Sequence, residues 1–138
     1  TLQGNPSVLL DGAHNHAASI VLREFIEDVV KKDSREKKIV LIFGALKDKD
    51  VKSMLQELIP CVSEIILTRP DTDRGIQVDE LKKITEKFGK EPYVAKGVAE
   101  ALTIAYNITS ASDMIVITGS LYLVGEARTL LSRGLVSG

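Results

Sequence analysis

Short continuous apolar runs alternate along the chain with longer stretches whose apolar residues are spaced three and four apart. The short runs are rich in β-branched residues and end at turn-forming residues, which predicts strands. There are five such runs: Ser7–Leu10, Ile39–Phe43, Glu64–Leu67, Tyr93–Ala95 and Met114–Ile117. Because Val8–Leu10 and Met114–Ile117 are apolar throughout, we expect both in the interior of a sheet, buried on both faces.

The stretches between these runs have the apolar spacing of helices with one buried face. The predicted helices cover residues 15–32, 51–60, 78–88, 98–108 and 124–130. In the first, the predicted buried positions are Ala18, Val21, Leu22, Phe25 and Val29. Gly89 follows the third and is predicted to end it as a C-terminal cap. The charged run 31–38 is expected to be a solvated turn.

Strict alternation of strand and helix predicts an α/β domain with three layers, in which helices cover both faces of a mainly parallel, Rossmann-like sheet of five strands. The length of 138 residues is that of one domain, here 1–138. All loops that follow strands meet at one edge of such a sheet, where ligands bind. These loops are 11–15, 44–50, 68–75, 96–97 and 118–122, and the polar residues are concentrated in them.

Composition excludes several classes of function. A formal net charge of −1 and an aromatic content of 4% offer neither a basic surface nor stacking groups for nucleic acid. No apolar stretch approaches about 18 residues, so no membrane span is predicted. Cys61 is the only cysteine, which rules out an intrachain disulfide and favours a cytoplasmic protein. Because a strand follows Thr1 within a few residues, we expect the chain to be part of a longer protein.

The first loop has the densest candidate chemistry. Gly12 permits a sharp turn, and Asn15 can cap the helix that follows. Asp11 can cap the turn or act as a functional acceptor for ribose hydroxyls or a metal ion. His14 is open to a structural or a functional role. His16 is expected to face solvent, and these residues match no zinc pattern.

Candidate groups in the other loops are individually ambiguous. Lys47 and Lys49 could meet phosphates or remain solvated, and Arg69 and Arg74 flank two aspartates, which favours local ion pairs. The segment Thr118–Ser120 resembles a small cradle for phosphate or carboxylate, built from backbone N–H groups and hydroxyls at a helix start. Walker A, GxGxxG and GxSxG motifs are missing from the sequence.

Two segments together indicate a family. Leu10–Asn15 (LDGAHN) and Thr118–Glu126 (TGSLYLVGE) resemble the C-terminal domain of folylpolyglutamate synthase, a Mur-type ligase that is often also a dihydrofolate synthase. Further matches in the same order are Gly44, Asp48–Asp50, Thr68–Pro70 and Arg74. The resemblance covers nearly the whole chain. It also implies a sixth, antiparallel strand, for which little sequence remains after Arg133.

The resemblance implies part of a ligase that uses ATP and Mg²⁺ to join glutamate to a reduced folate through an acyl phosphate. Asp11 and Asn15 would then lie on the ATP side, Asp11 at the ribose. His14 and Ser120 would face the glutamate and phosphate side. Most metal ligands and the P-loop would belong to an N-terminal domain, so no metal site and no complete catalytic set are expected here.

The sequence departs from the family pattern in two places. His16 stands where the family usually has proline, which loosens the helix start slightly without removing a proposed contact. The P-loop, and an arginine that contacts ATP upstream of Thr1 in the family, are not in this chain. Two alternatives remain open: a stand-alone flavodoxin-like binding module, and a small metal-dependent hydrolase that uses Asp11 and His14.

Overall fold

The computed structural model describes residues 5–33 and 35–134. Strands and helices alternate as the sequence predicts. Their bounds are β1 Ser7–Leu10, α1 His16–Lys32, β2 Ile39–Phe43, α2 Val51–Leu58, β3 Glu64–Leu67, α3 Val78–Lys87, β4 Tyr93–Val94, α4 Val98–Asn107, β5 Met114–Thr118 and α5 Leu121–Ser132. A short 3₁₀ turn, Ile59–Cys61, extends α2. The fifth helix begins three residues earlier than predicted, because Ser120 caps it.

Every strand pair in the sheet is parallel, in the order β1-β5-β2-β3-β4. Val116 of β5 lies between Leu9 of β1 and Leu41 of β2, so Met114–Ile117 is interior as predicted. The three-layer, Rossmann-like fold is therefore confirmed, with five strands in the described part of the chain. The sixth strand that the resemblance implies would have to form after Arg133, where little sequence remains. Residues 135–138 lie outside the described residues.

The prediction that Val8–Leu10 is an interior strand is wrong. Within the described residues β1 pairs only with β5, and its residues are half-buried or exposed. Its apolar character comes from helices above and below it: Val8 and Leu10 pack on one side of the sheet and Leu9 on the other. An edge strand covered on both faces has the same apolar pattern as a central one, so the pattern cannot tell them apart.

Two apolar clusters fill the spaces between sheet and helices. Leu41 and Phe43 of β2 point into the cluster that includes α1, α2 and Leu81 of α3. Val40 and Ile42, on the opposite face of the same strand, join the cluster beneath α4 and α5. All five residues of β2 are buried, as are all five of β5. The edge at which the loops after the strands meet is thus carried at its centre by β2 and β5, two neighbouring strands that are buried throughout.

The predicted buried face of α1 is partly wrong. Val21 is 65% exposed and Phe25 is 48% exposed, whereas the fully buried positions are Ser19, Leu22 and Ile26. Each residue turns a helix by about 100°, so Val21 and Phe25 lie beside the buried stripe instead of within it. The C-terminal end of α3 is as predicted, with Gly89 in a left-handed conformation at φ +82°. No helix in the described ranges is long and apolar enough to cross a membrane.

Candidate functional site

The turn between β1 and α1 is closed by its own side chains. Asp11 Oδ1 accepts a hydrogen bond from the Ala13 N–H at 2.8 Å, which is the turn-capping role that the sequence left open. His14 Nδ1 lies 2.8 Å from the Gly12 carbonyl oxygen. A carbonyl only accepts, so Nδ1 carries the proton, and in the neutral ring Nε2 remains an acceptor. Asp11 Oδ2 and His14 Nε2 take no part in these local bonds.

Residues at the start of α1 fix the position of that helix. Asn15 caps it, with Oδ1 accepting from the Ala18 N–H at 2.8 Å. His16 faces solvent as predicted, with 49% of its side chain exposed, while its Nε2 lies 2.8 Å from a carboxylate oxygen of Glu57 on α2. Arg23 pairs with the other oxygen of Glu57. His16 and Arg23 therefore tie α1 to α2 through Glu57.

The loop after β5 joins the first turn through one carbonyl group. Ala13 O accepts from the Gly119 N–H at 3.0 Å and from the Thr118 hydroxyl at 3.3 Å. Ser120 is 2% exposed and caps α5, with Oγ accepting from the Tyr122 N–H at 3.1 Å. The two segments that define the resemblance thus meet at one edge, through residues 105 positions apart along the chain.

The loops after β2 and β3 pair with each other. The Lys47 N–H donates to Arg74 O at 2.8 Å, and the Ile76 N–H donates to Ala45 O at 2.9 Å. A shallow cleft of about 320 Å³ opens on this paired segment, lined by Lys47, Asp48, Asp73 and Arg74. It carries both cations and carboxylates, so charge alone does not define its ligand.

The ion pairs predicted for Arg69 and Arg74 are not found among the described residues. Arg69 donates instead to backbone carbonyls, from Nε to Gly75 O at 3.0 Å and from Nη2 to Asp73 O at 3.2 Å. An arginine with several donors can hold a loop by its carbonyls, a choice that sequence spacing does not reveal. Arg69 therefore braces its own loop.

Several kinds of chemistry find no support in the described part of the chain. No three His, Cys, Asp or Glu side chains there lie close enough to hold a metal ion. Asp11 and His14 each bond the backbone of their own turn, so the hydrolase alternative has no Asp–His pair. Burial raises the pKa of the Cys61 thiol to about 11, which keeps it protonated and unreactive at neutral pH.

The fold and this edge define the chain as an α/β domain whose capped helix starts and polar loops lie at one edge of the sheet. Residues 1–130 match the family model described as the C-terminal domain of dihydrofolate synthetase, and the chain belongs to this family. The resemblance drawn from the sequence is thereby confirmed.

Individual relatives agree with this assignment. The chain is 34% identical over 133 residues to a probable bifunctional folylpolyglutamate synthase/dihydropteroate synthase of Haloferax volcanii, covering 95% of this chain and 15% of the relative. It superposes with a TM-score of 0.79 and 28% identity on the Mycobacterium tuberculosis folylpolyglutamate synthase complexed with ADP, covering 91% of this chain and 30% of that one. It superposes on Escherichia coli FolC with a TM-score of 0.80 at 22% identity, covering 93% and 29% of the two chains, which supports the fold alone. This chain spans less than a third of the length of each of these three proteins.

Proposed function

We propose that this chain is the C-terminal half of the active site of an ATP-dependent ligase that adds glutamate to a reduced folate. The observation that carries the proposal is the junction at Ala13 O, which brings the Asp11–Asn15 turn and the Thr118–Ser120 loop together in a chain of this family. Such a ligase transfers the γ-phosphate of ATP to a folate carboxylate, releasing ADP. The amino group of glutamate then displaces phosphate to form a γ-linked amide.

The geometry supports a distinct role for each predicted residue. Asp11 uses one carboxylate oxygen in its turn, and the other would accept from a ribose hydroxyl of ATP. Asn15 keeps its amide N–H groups for the nucleotide while Oδ1 caps α1. His14 Nε2, and the O–H that Ser120 retains, would face the glutamate and phosphate side. These roles rest on family membership and on the free atoms just described.

Mg²⁺ and the triphosphate are assigned to the N-terminal P-loop domain of the same protein. Bound there, Mg²⁺ would neutralise charge on the phosphates during transfer. We propose that this domain closes over the nucleotide and the glutamate, which is the role that the family resemblance implies. We also propose that the protein is cytoplasmic, which is the location that a single cysteine favours.

The proposal predicts that the 138-residue chain alone is inactive. Incubated with ATP, Mg²⁺, glutamate and a reduced folate, it should release no ADP above background, because it lacks the glycine-rich loop and lysine that position a triphosphate. Adding the separately expressed N-terminal part should restore turnover. ADP release by the chain alone at the rate of an ordinary ligase would overturn the proposal. So would a full reading frame without a Gly-x-x-x-x-Gly-Lys-Ser/Thr segment, which would favour the stand-alone binding module.

Asp11→Asn in the full-length protein should raise the KM for ATP by about tenfold. The amide oxygen keeps the hydrogen bond to the Ala13 N–H, so the turn stays intact, but an NH2 group replaces the oxygen offered to ribose. That group cannot accept a hydrogen bond from a hydroxyl, and the loss of a charged acceptor is worth about 1–2 kcal/mol. Steady-state kinetics with ATP varied would measure the change. Asp79→Asn, an exposed residue in the first turn of α3, is the matched control for loss of one charge. An unchanged KM for ATP would leave Asp11 with its turn-capping role only.

A further inference from the structure

The loop after β3 is held from two directions. On one side its residues Arg74 and Ile76 are bonded to the β2–α2 loop. On the other side Glu126 of α5 reaches across, and its Oε1 accepts a hydrogen bond from the Asp71 N–H at 2.8 Å. Strand β2 lies between β3 and β5 in the sheet, so this bond joins parts of the edge that are not neighbours.

Glu126 occupies this position at an electrostatic cost. Burial raises the pKa of its carboxyl group, and the nearby Asp71 carboxylate adds to the rise, while the hydrogen bond from the Asp71 N–H partly offsets it. A partly buried glutamate beside another carboxylate packs no more favourably than an apolar residue would in its place. The bond to the loop is the specific feature that the glutamate supplies.

The helix that carries Glu126 begins at Ser120, so the bond connects a proposed site residue to the opposite loop. Glu126 lies six residues along α5 from Ser120, which is a separation of about 9 Å along a helix. The loop that it holds contains Arg74, which lines the cleft together with Lys47. A fixed Glu126–Asp71 bond therefore sets the distance between the Ser120 end of the site and this cleft.

We infer that Glu126 is a positioning residue. It holds the loop after β3 in a fixed position relative to the Ser120 end of α5, by accepting a hydrogen bond from the Asp71 N–H. The structural part of this inference stands on the hydrogen bond itself. Its effect on turnover rests on the proposed ligase function. The sequence contained Glu126 only as the last residue of the TGSLYLVGE segment, with no sign of its partner 55 positions away.

Amide hydrogen exchange in this chain, followed by NMR, tests the bond directly. Glu126→Ala should raise the exchange rate of the Asp71 N–H by about tenfold, because a charged acceptor is lost. Glu126→Gln keeps an acceptor oxygen at the same reach, and its rate should stay within about threefold of the parent. Equal acceleration in both variants would show that removal of a negative charge is the cause, and would overturn the inference, as would an unchanged rate in Glu126→Ala.

Glu100 provides the matched control, because its Oε1 accepts from the Lys96 N–H at 2.9 Å in the neighbouring loop. Glu100→Ala should accelerate exchange at Lys96 and leave Asp71 unchanged. Acceleration at Asp71 as well would indicate general loosening of this edge and would count against a specific role for Glu126.

Kinetics of the full-length protein test the positioning role. Glu126→Ala should raise the KM for one of the three substrates at least fivefold and leave the other two within about twofold, and Glu126→Gln should restore the parent value. A role limited to stability would lower the melting temperature and the active fraction with every KM unchanged, which would overturn the inference. A full-length protein that joins no glutamate to folate would refute the proposed function, whereas the exchange rates would still decide whether Glu126 holds the loop.

Discussion

Gly119→Ala should lower the free energy of unfolding by about 3 kcal/mol or more. Gly119 has a φ of +113°, a conformation that residues with a Cβ rarely adopt. A Cβ built there would clash with the carbonyl oxygen of Gly44, and this neighbour is backbone at the end of the central strand β2, which cannot move aside as a flexible side chain can. Urea unfolding followed by circular dichroism would measure the loss.

Two other glycines separate the causes of this effect. Gly89 also has a positive φ, but a Cβ there would meet nothing within 4 Å among the described atoms, so Gly89→Ala should cost only about 1 kcal/mol from backbone strain. Gly125 lies inside α5 in open space, and Gly125→Ala should be neutral or stabilise by up to about 1 kcal/mol. If Gly119→Ala is as stable as Gly89→Ala, the result would contradict the close approach between the loop at Gly119 and the loop at Gly44.

Asp113→Ala should destabilise the chain by about 2–4 kcal/mol at neutral pH, from the edge of the sheet opposite the site. Asp113 is 7% exposed and accepts three hydrogen bonds. Oδ1 accepts from the Lys38 N–H at 2.9 Å, and Oδ2 accepts from the N–H and the hydroxyl of Ser110 at 2.9 and 3.2 Å. Removing the carboxylate leaves these donors without their partner. Asp79→Ala, an exposed control, should change stability by less than about 0.5 kcal/mol.

The effect of Asp113→Ala should depend on pH. Burial opposes ionisation of Asp113, but the hydrogen bonds from Ser110 and Lys38 outweigh it and hold the pKa of the carboxyl group below its usual value. A depressed folded-state pKa means that the stabilisation is complete above the unfolded pKa of about 4 and is lost as pH falls through the folded pKa. The difference in unfolding free energy between parent and variant should therefore be full at neutral pH and shrink as the pH falls below about 4. A difference that is constant with pH would contradict the assigned hydrogen bonds.

The alternation of strand and helix is what the sequence determined most completely. The apolar pattern of each strand indicates locally which of its two faces is buried. Because the strands are parallel and joined by crossover helices, all loops that follow strands must then meet at one edge. The same local information located the Asp11 turn, the Asn15 cap and the Ser120 loop. These predictions succeeded because turn and cap chemistry depends on residues within about four positions of each other.

The tertiary structure alone decided the lateral order of the strands and the bonds between distant loops. It placed β1 at the edge of the described sheet. Apolar residues indicate that helices cover the faces of a strand, but they do not indicate which strands lie beside it. It turned Val21 and Phe25 outwards, because a periodic stripe fixes a helical face only to within one residue step. The junction at Ala13 O and the Glu126–Asp71 bond join residues 55 or more positions apart. Periodicity along the chain carries no signal for such pairs, because their contact exists only after the sheet has set the separation of its strands.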